Sequence, residues 1–213
     1  MKEKLKVKME MKMKMKMKKA AINSFLLAGV VGFCGHASVA LAQSATYAID
    51  PTHTFVMFEV KHFGTSTNRG RWDKKEGTVQ FDKTAKTGKV DISIDAASIS
   101  TGTAGFDGHL KSADFFDVAN NPKISFTSTA WKFDGDKVTE VSGDLTMRGK
   151  TGPVTMKATN FGCYTNQRLQ REVCGGDFET TIMRSQWGVS FGSANGLIPE
   201  PVKLLIQVEA IKQ

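Results

Sequence analysis

Between Val56 and Ala210 hydrophobic and polar residues alternate in short runs, the period-two signature of strands with one buried face. Val90, Ile92, Ile94 and Ala96 oppose Lys89, Asp91, Ser93 and Asp95; Ile124, Phe126 and Ala130 oppose Ser125, Thr127 and Thr129. Val141, Gly143, Leu145 and Met147 share a face, as do Val154, Met156 and Ala158. Leu204, Ile206, Val208 and Ala210 form another row, and Val56, Phe58, Val60 and His62 another. Gly77, Val79 and Phe81 make a shorter row, and Phe178 with Ile182 a weak one. The pattern predicts about eight strands.

Asp134-Gly135-Asp136, Arg148 to Pro153 and Lys86-Thr87-Gly88 supply hairpin turns between them. Strands this short and regular imply an all-β sandwich or barrel. One segment departs from the pattern. Phe106, Leu110, Ala113 and Phe116 recur at helical spacing, which predicts a short helix over 105–117, weakened by Gly108 and stopped before Pro122. Charges at Lys89, Asp91, Asp95, Asp144 and Lys157 fall in mid-strand. An outward lipid face would not tolerate them, so the apolar rows are expected to face inward, the reverse of an outer-membrane barrel.

The amino terminus has a different character. Residues 1–19 carry nine Lys and two Glu, followed by an apolar run from Phe25 to Cys34 and the small-residue site Ala40-Leu41-Ala42. This reads as a secretory signal peptide over 1–42, cleaved between Ala42 and Gln43, with one domain over 43–213. The apolar run is shorter than the ~20 residues of a membrane-spanning helix. Met17-Lys18-Lys19 would open an ordinary signal peptide unaided, so translation from Met1 and from Met17 are both open. Without the leader, 20 basic and 19 acidic side chains remain of the chain's 29 and 21. The basic balance therefore belongs to the leader and gives no support for nucleic-acid binding. Export to the periplasm or outside the cell favours a disulfide between Cys163 and Cys174.

Candidate chemistry is sparse. His53, His62 and His109 share no ligand spacing, so no metal is expected. There is no nucleophile elbow, phosphate loop or dinucleotide fingerprint, and no cofactor is expected. Asp114 and Asp117 can be read as an acid–base pair, but as residues beside a helix they more often cap or orient the chain. Trp72, Trp131 and Trp187 could stack on bases, yet the near-neutral domain argues for a core role.

Several segments resemble the YceI-like bacterial polyisoprenoid-binding proteins. They are Ile49 to Gly64, His109 to Asp117, Pro122 to Thr129, Val141 to Val154 and Arg184 to Gly188, in that order. The resemblance implies a lipocalin-like, eight-stranded antiparallel barrel, with the short helix near its mouth. It further implies a periplasmic or secreted binding protein, not an enzyme, that holds a polyisoprenoid, quinone or similar long apolar lipid. The lining expected from alternation and resemblance together is Val56, Phe58, Val60, Phe81, Ile92, Ile94, Phe126, Leu145 and Met147. His109, Ser112 and Asp114 are the expected head-group contacts. The segment 162–176 with its two Cys is an elaboration beyond the family pattern. Competing readings are a secreted hydrolase or isomerase using His109 or Asp114, and a stress-protective protein with a filled barrel. The oligomeric state is open, a homodimer included; neither nucleic acid nor a membrane-spanning role is expected. Protein recovered after export should begin at Gln43, or within two residues of it, by N-terminal sequencing. Retention of Met1 or Met17 would refute the leader.

Overall fold

The computed structural model describes residues 44–213; the expected leader and the residues on either side of its cleavage site, Ala42 and Gln43, lie outside them. Eleven strand segments form a single antiparallel sheet. In chain order they are β1 (Ala45–Ile49), β2 (Phe55–His62), β3 (Ser66–Trp72), β4 (Lys75–Asp82), β5 (Thr87–Asp95) and β6 (Ile99–Ser100). The helix α1 (Ala104–Lys111) follows. Then come β7 (Lys123–Asp134), β8 (Lys137–Met147), β9 (Lys150–Asn166), β10 (Arg171–Met183) and β11 (Pro201–Lys212).

The sheet closes on itself as an eight-stranded barrel. β1 pairs with β11 through Tyr47↔Lys212 and Ile49↔Ala210, while β2 pairs further along the same strand through Val56↔Ile206 and Phe58↔Leu204. β1 and β2 are thus two halves of one barrel strand. β3 with β4, and β5 with β6, are likewise interrupted strands. The break between β1 and β2 is built by Asp50. Its carboxylate accepts from Thr52 N at 2.9 Å and Thr52 Oγ1 at 2.6 Å, and it meets His53 Nδ1 at 2.8 Å. Partial burial pushes the Asp50 carboxyl up, but the bonds from His53 and Thr52 outweigh it and hold it at about 2.

The eight strands expected from alternation are all present, in β2, β4, β5 and β7 to β11. The short segments β1, β3 and β6 had no comparable signal. In β3 the inward row is Asn68, Gly70 and Trp72, and a Cβ at Gly70 would sit 2.5 Å from the Phe58 ring. A strand that leaves room for a partner's side chain does not read as hydrophobic.

Two expectations need correction. The helix covers Ala104–Lys111 and does not run to Asp117. Ser112 turns to extended backbone, its hydroxyl donates to the His109 carbonyl at 2.7 Å, and Phe115, Phe116 and Asp117 follow in tight turns. Ala130 does not share a face with Ile124 and Phe126. The β7–β8 register shifts between Ser128 and Ala130, so beyond this bulge Trp131 and Phe133 take the partly buried positions and Ala130 is exposed. Ser128 serves the bulge: its Oγ accepts from Val90 N at 2.8 Å and from Trp131 Nε1 at 3.0 Å.

The barrel has two unlike ends. At one, three hairpins and the start of β1 leave the lumen to side chains. At the other, α1, the turns after it and the 184–200 connection lie over the lumen. Two arginines tie these segments together. Arg148 donates to the carbonyls of Phe115, Gly188 and Ala113 at 2.7–2.8 Å. Arg184, 4% exposed, donates to those of Pro199, Val189, Phe191 and Ile198 at 2.8–2.9 Å.

The segment 162–176 lengthens the β9–β10 hairpin, and Cys163 and Cys174 face each other across it and are joined. The bond closes a loop of 11 residues' separation. Loop-closure entropy alone assigns it about 3 kcal/mol. Replacing both Cys with Ser should lower the unfolding free energy by about that much in urea titration; two alkylatable thiols in the native oxidised protein would overturn the pairing.

Candidate functional site

The inward rows of the eight strands enclose two cavities arranged along the barrel. The larger, about 120 Å³, runs towards the hairpin end. Its wall includes Tyr47, Val56, Phe81, Ile92, Ile94, Phe126, Trp131, Leu145, Phe161, Phe178 and Ile206. The smaller, about 70 Å³, lies under the helix end between Phe58, Val60, Trp72, Leu110, Phe115, Phe116, Met147 and Ile182. Leu204 is on the wall of both. On β11 the wall extends from Val202 to Ala210. At a rise of ~3.3 Å per residue and a tilt of ~40°, that is a tube about 20 Å long.

All nine side chains expected on the lining fall on one cavity or the other. Val56, Phe81, Ile92, Ile94, Phe126 and Leu145 line the larger, and Phe58, Val60 and Met147 the smaller. His109, Ser112 and Asp114 line neither. His109 and Asp114 are exposed and face each other at 3.2 Å, and the His109 ring packs edge-on against Phe115 and Phe191. The buried residues Leu110 and Phe115 lie on the same segment and reach the cavity instead.

Other wall residues went unselected. Leu204 stood in a recognised alternating row. Trp131 and Phe161 lie beyond bulges, where parity no longer follows the preceding run; on β9 the shift falls opposite Asp177 and Phe178. At the hairpin end Phe81 stacks with Trp131 and Phe133, centroids 5.9 and 6.2 Å apart, and meets Phe161 edge-on at 5.7 Å. These rings close the larger cavity.

Tyr47 links that cavity to the rim. Its hydroxyl donates to Glu172 Oε1 at 2.6 Å, and Lys83 Nζ donates to Oε2 at 2.6 Å, with Lys212 at 3.9 Å. Burial, then the bond to Glu172, push the Tyr47 phenol well above its ordinary value. Lys83 and then Tyr47 hold the Glu172 carboxyl below its own. Cys163, Cys174 and Glu172 lie close enough to hold a metal ion. The two sulfurs are bonded to each other, however, and the carboxylate is engaged by Lys83.

The profile of the YceI-like domain matches residues 47–210, nearly all of the barrel. Protein YceI of Escherichia coli O157:H7 is 35% identical over 179 residues, covering 83% of this chain and 92% of its own. The chain belongs to the YceI-like family. Two solved structures share this YceI-like fold. The Campylobacter jejuni YceI protein is 26% identical with a TM-score of 0.61, covering 72% of this chain and 90% of its own. A polyisoprenoid-binding domain from Saccharophagus degradans, implicated in plant cell wall breakdown, is 15% identical with a TM-score of 0.58. That match covers 80% of this chain and all of the other. Among the described residues of this YceI-like chain, no helix is long and apolar enough to cross a membrane.

The Glu172 cluster gives the barrel a pH signature. A carboxyl lowered by folding contributes stability that is present above its unfolded value near 4.5 and is lost as pH falls below it. Urea midpoints measured from pH 7 down to pH 3 should therefore fall more steeply for the wild type than for Glu172→Gln. Parallel curves would show that the cluster carries no such linkage.

Proposed function

We propose that this protein is an exported carrier or scavenger that holds an isoprenoid, quinone or similar long apolar molecule along the barrel axis. The observation that carries this reading is the larger cavity, whose wall is built from apolar and aromatic side chains. A void of 120 Å³ in a packed interior costs roughly 3 kcal/mol at ~24 cal/mol per Å³. An apolar guest recovers that loss and removes its own surface from water at about 25 cal/mol per Å². The S. degradans domain, described as binding polyisoprenoid, supports the same ligand class. The leader pattern and the Cys163–Cys174 bond support an oxidising compartment, the periplasm or outside the cell.

The ligand-contacting residues are, on this reading, the nine lining side chains from Val56 to Met147 named above, together with Phe178 and Leu204. Two cavities of 120 and 70 Å³ hold only part of a long tail, since an engineered cavity of ~150 Å³ holds one benzene. Accommodation of the rest requires the lining side chains to change rotamer and widen the lumen, Leu204 between the two spaces among them. The same small volume favours the second reading, a filled barrel with a protective role.

Uptake separates the two. Lipid-stripped, folded protein should bind farnesol or a prenylated quinone at micromolar concentration or tighter. Ile94→Phe, which intrudes on the larger cavity, should weaken that binding about tenfold or more in protein whose cooperative urea unfolding shows it to be folded. No uptake of any isoprenoid, fatty-chain or quinone probe by the folded wild type would leave the filled barrel standing and remove the carrier.

A further inference from the structure

At the hairpin end the lumen is framed by β1, β4, β5, β7, β8, β9, β10 and β11, in that order round the barrel. β4 and β9 are four places apart in this ring and stand on opposite walls. Phe81 of β4 and Phe161 of β9 nonetheless meet edge-on, with ring centroids 5.7 Å apart. The lumen is bridged from wall to wall at this level by side chains of the strands themselves. At the helix end the covering contacts come from outside the strands, as where Phe116 meets Trp72 at 5.5 Å.

The bridge is held in place on the β4 side. Phe81 is 4% exposed and packs near-parallel to Trp131 and Phe133 of β7, at 5.9 and 6.2 Å. Tyr47 of β1 is a further neighbour at 6.5 Å. Trp131 is fixed in turn. Its Nε1 donates to Ser128 Oγ at 3.0 Å, and the same Oγ accepts from Val90 N at 2.8 Å. The indole lies against Gly88, where a Cβ would sit 2.4 Å from its ring carbons. A side chain at position 88 would displace it. Phe161 is less confined: it is partly buried, and its one aromatic neighbour among the described residues is Phe81.

We propose that this aromatic floor sets the length of chain that the barrel accepts, with Phe81 and Phe161 stopping the inner end of the guest. The inference rests on the carrier reading above and adds chain length to it. Three bonds of extended polypeptide advance ~3.6 Å, so the four bonds of an isoprene unit span roughly 5 Å. The tube of about 20 Å therefore takes about four units. Each unit added within that length removes further apolar surface from water. A unit beyond it cannot pass the floor, so the excess stays outside the lumen and gains no burial.

The test is a series of linear prenols of two to six isoprene units, measured on lipid-stripped, folded protein. In wild type each unit up to about the fourth should tighten binding about tenfold or more, and the fifth and sixth should leave it within about threefold. Phe161→Ala, which removes the β9 side of the bridge, should move this limit outward by about one unit or more. Val208→Phe, which adds a ring to the wall of the larger cavity on β11, should move it inward by about one unit. If one variant does not fold, the other decides. A ring that only packs the core would lower the unfolding midpoint when removed and leave the limit where it was. That outcome, or wild-type binding that tightens through all six lengths, overturns the proposal and leaves the carrier reading intact. Binding of no prenol removes the carrier reading itself.

Discussion

The pairing of β1 with β11 is the constraint on which the rest depends. Tyr47, Ala48 and Ile49 meet Lys212, Ile211 and Ala210, and with that contact the first and last strands of the described residues become neighbours. An open sheet with these alternating rows would expose one apolar face and two unpaired edges. Closed, the same sheet turns every inward row onto a common lumen and leaves the charged rows in water. The interruption at Asp50 to Thr54 lets one strand serve β11 along two stretches.

Closure of eight strands leaves a lumen that side chains nearly fill. Where it is filled, ring packs on ring, as around Phe81 at the hairpin end. Where it is not, two apolar-walled voids persist because the strands that frame them cannot approach further without breaking their ladders. Native interiors are packed close to crystal density, so a void of about 120 Å³ is unfavourable for the folded chain by itself, and it is the observation on which the carrier reading rests. The knots matter for the same reason. Arg148 and Arg184 satisfy seven carbonyl bonds between segments with no regular secondary structure, which keeps the helix end from collapsing into the lumen.

The polar groups of the molecule divide into those that are occupied and those that are not. The Tyr47–Glu172–Lys83 cluster, the Asp50–Thr52–His53 turn and Ser128 at its bulge are each engaged within the chain. Such sites shape strands and rims. Two buried side-chain atoms have no hydrogen-bond partner among the described residues, Trp72 Nε1 and Ser193 Oγ. The exposed His109–Asp114 pair is likewise engaged within the chain and faces solvent.

Alternation along the chain determined the all-β class, the eight principal strands and their two faces, because parity is a property of neighbouring residues and needs no knowledge of the partner strand; the mid-strand charges decided which face turns inward. The nine lining positions followed from alternation and the family resemblance together, and the Cys163–Cys174 pair from the expectation of export. The resemblance in five ordered segments supplied the family. What parity could not supply was set by contacts between strands. The bulges at Ser128–Ala130 and at Asp177–Phe178 add a residue on one side of a ladder, and from there Trp131, Phe133 and Phe161 turn inward where simple alternation would place Ala130 or Asn160. The turns after Lys111 bring Phe115 and Phe116 over the lumen and leave His109 outside it. That Trp72 is buried between Phe58 and Phe116 depends on the residues around it, contributed by β2, β3 and the segment after α1, and no local stretch of sequence contains that information.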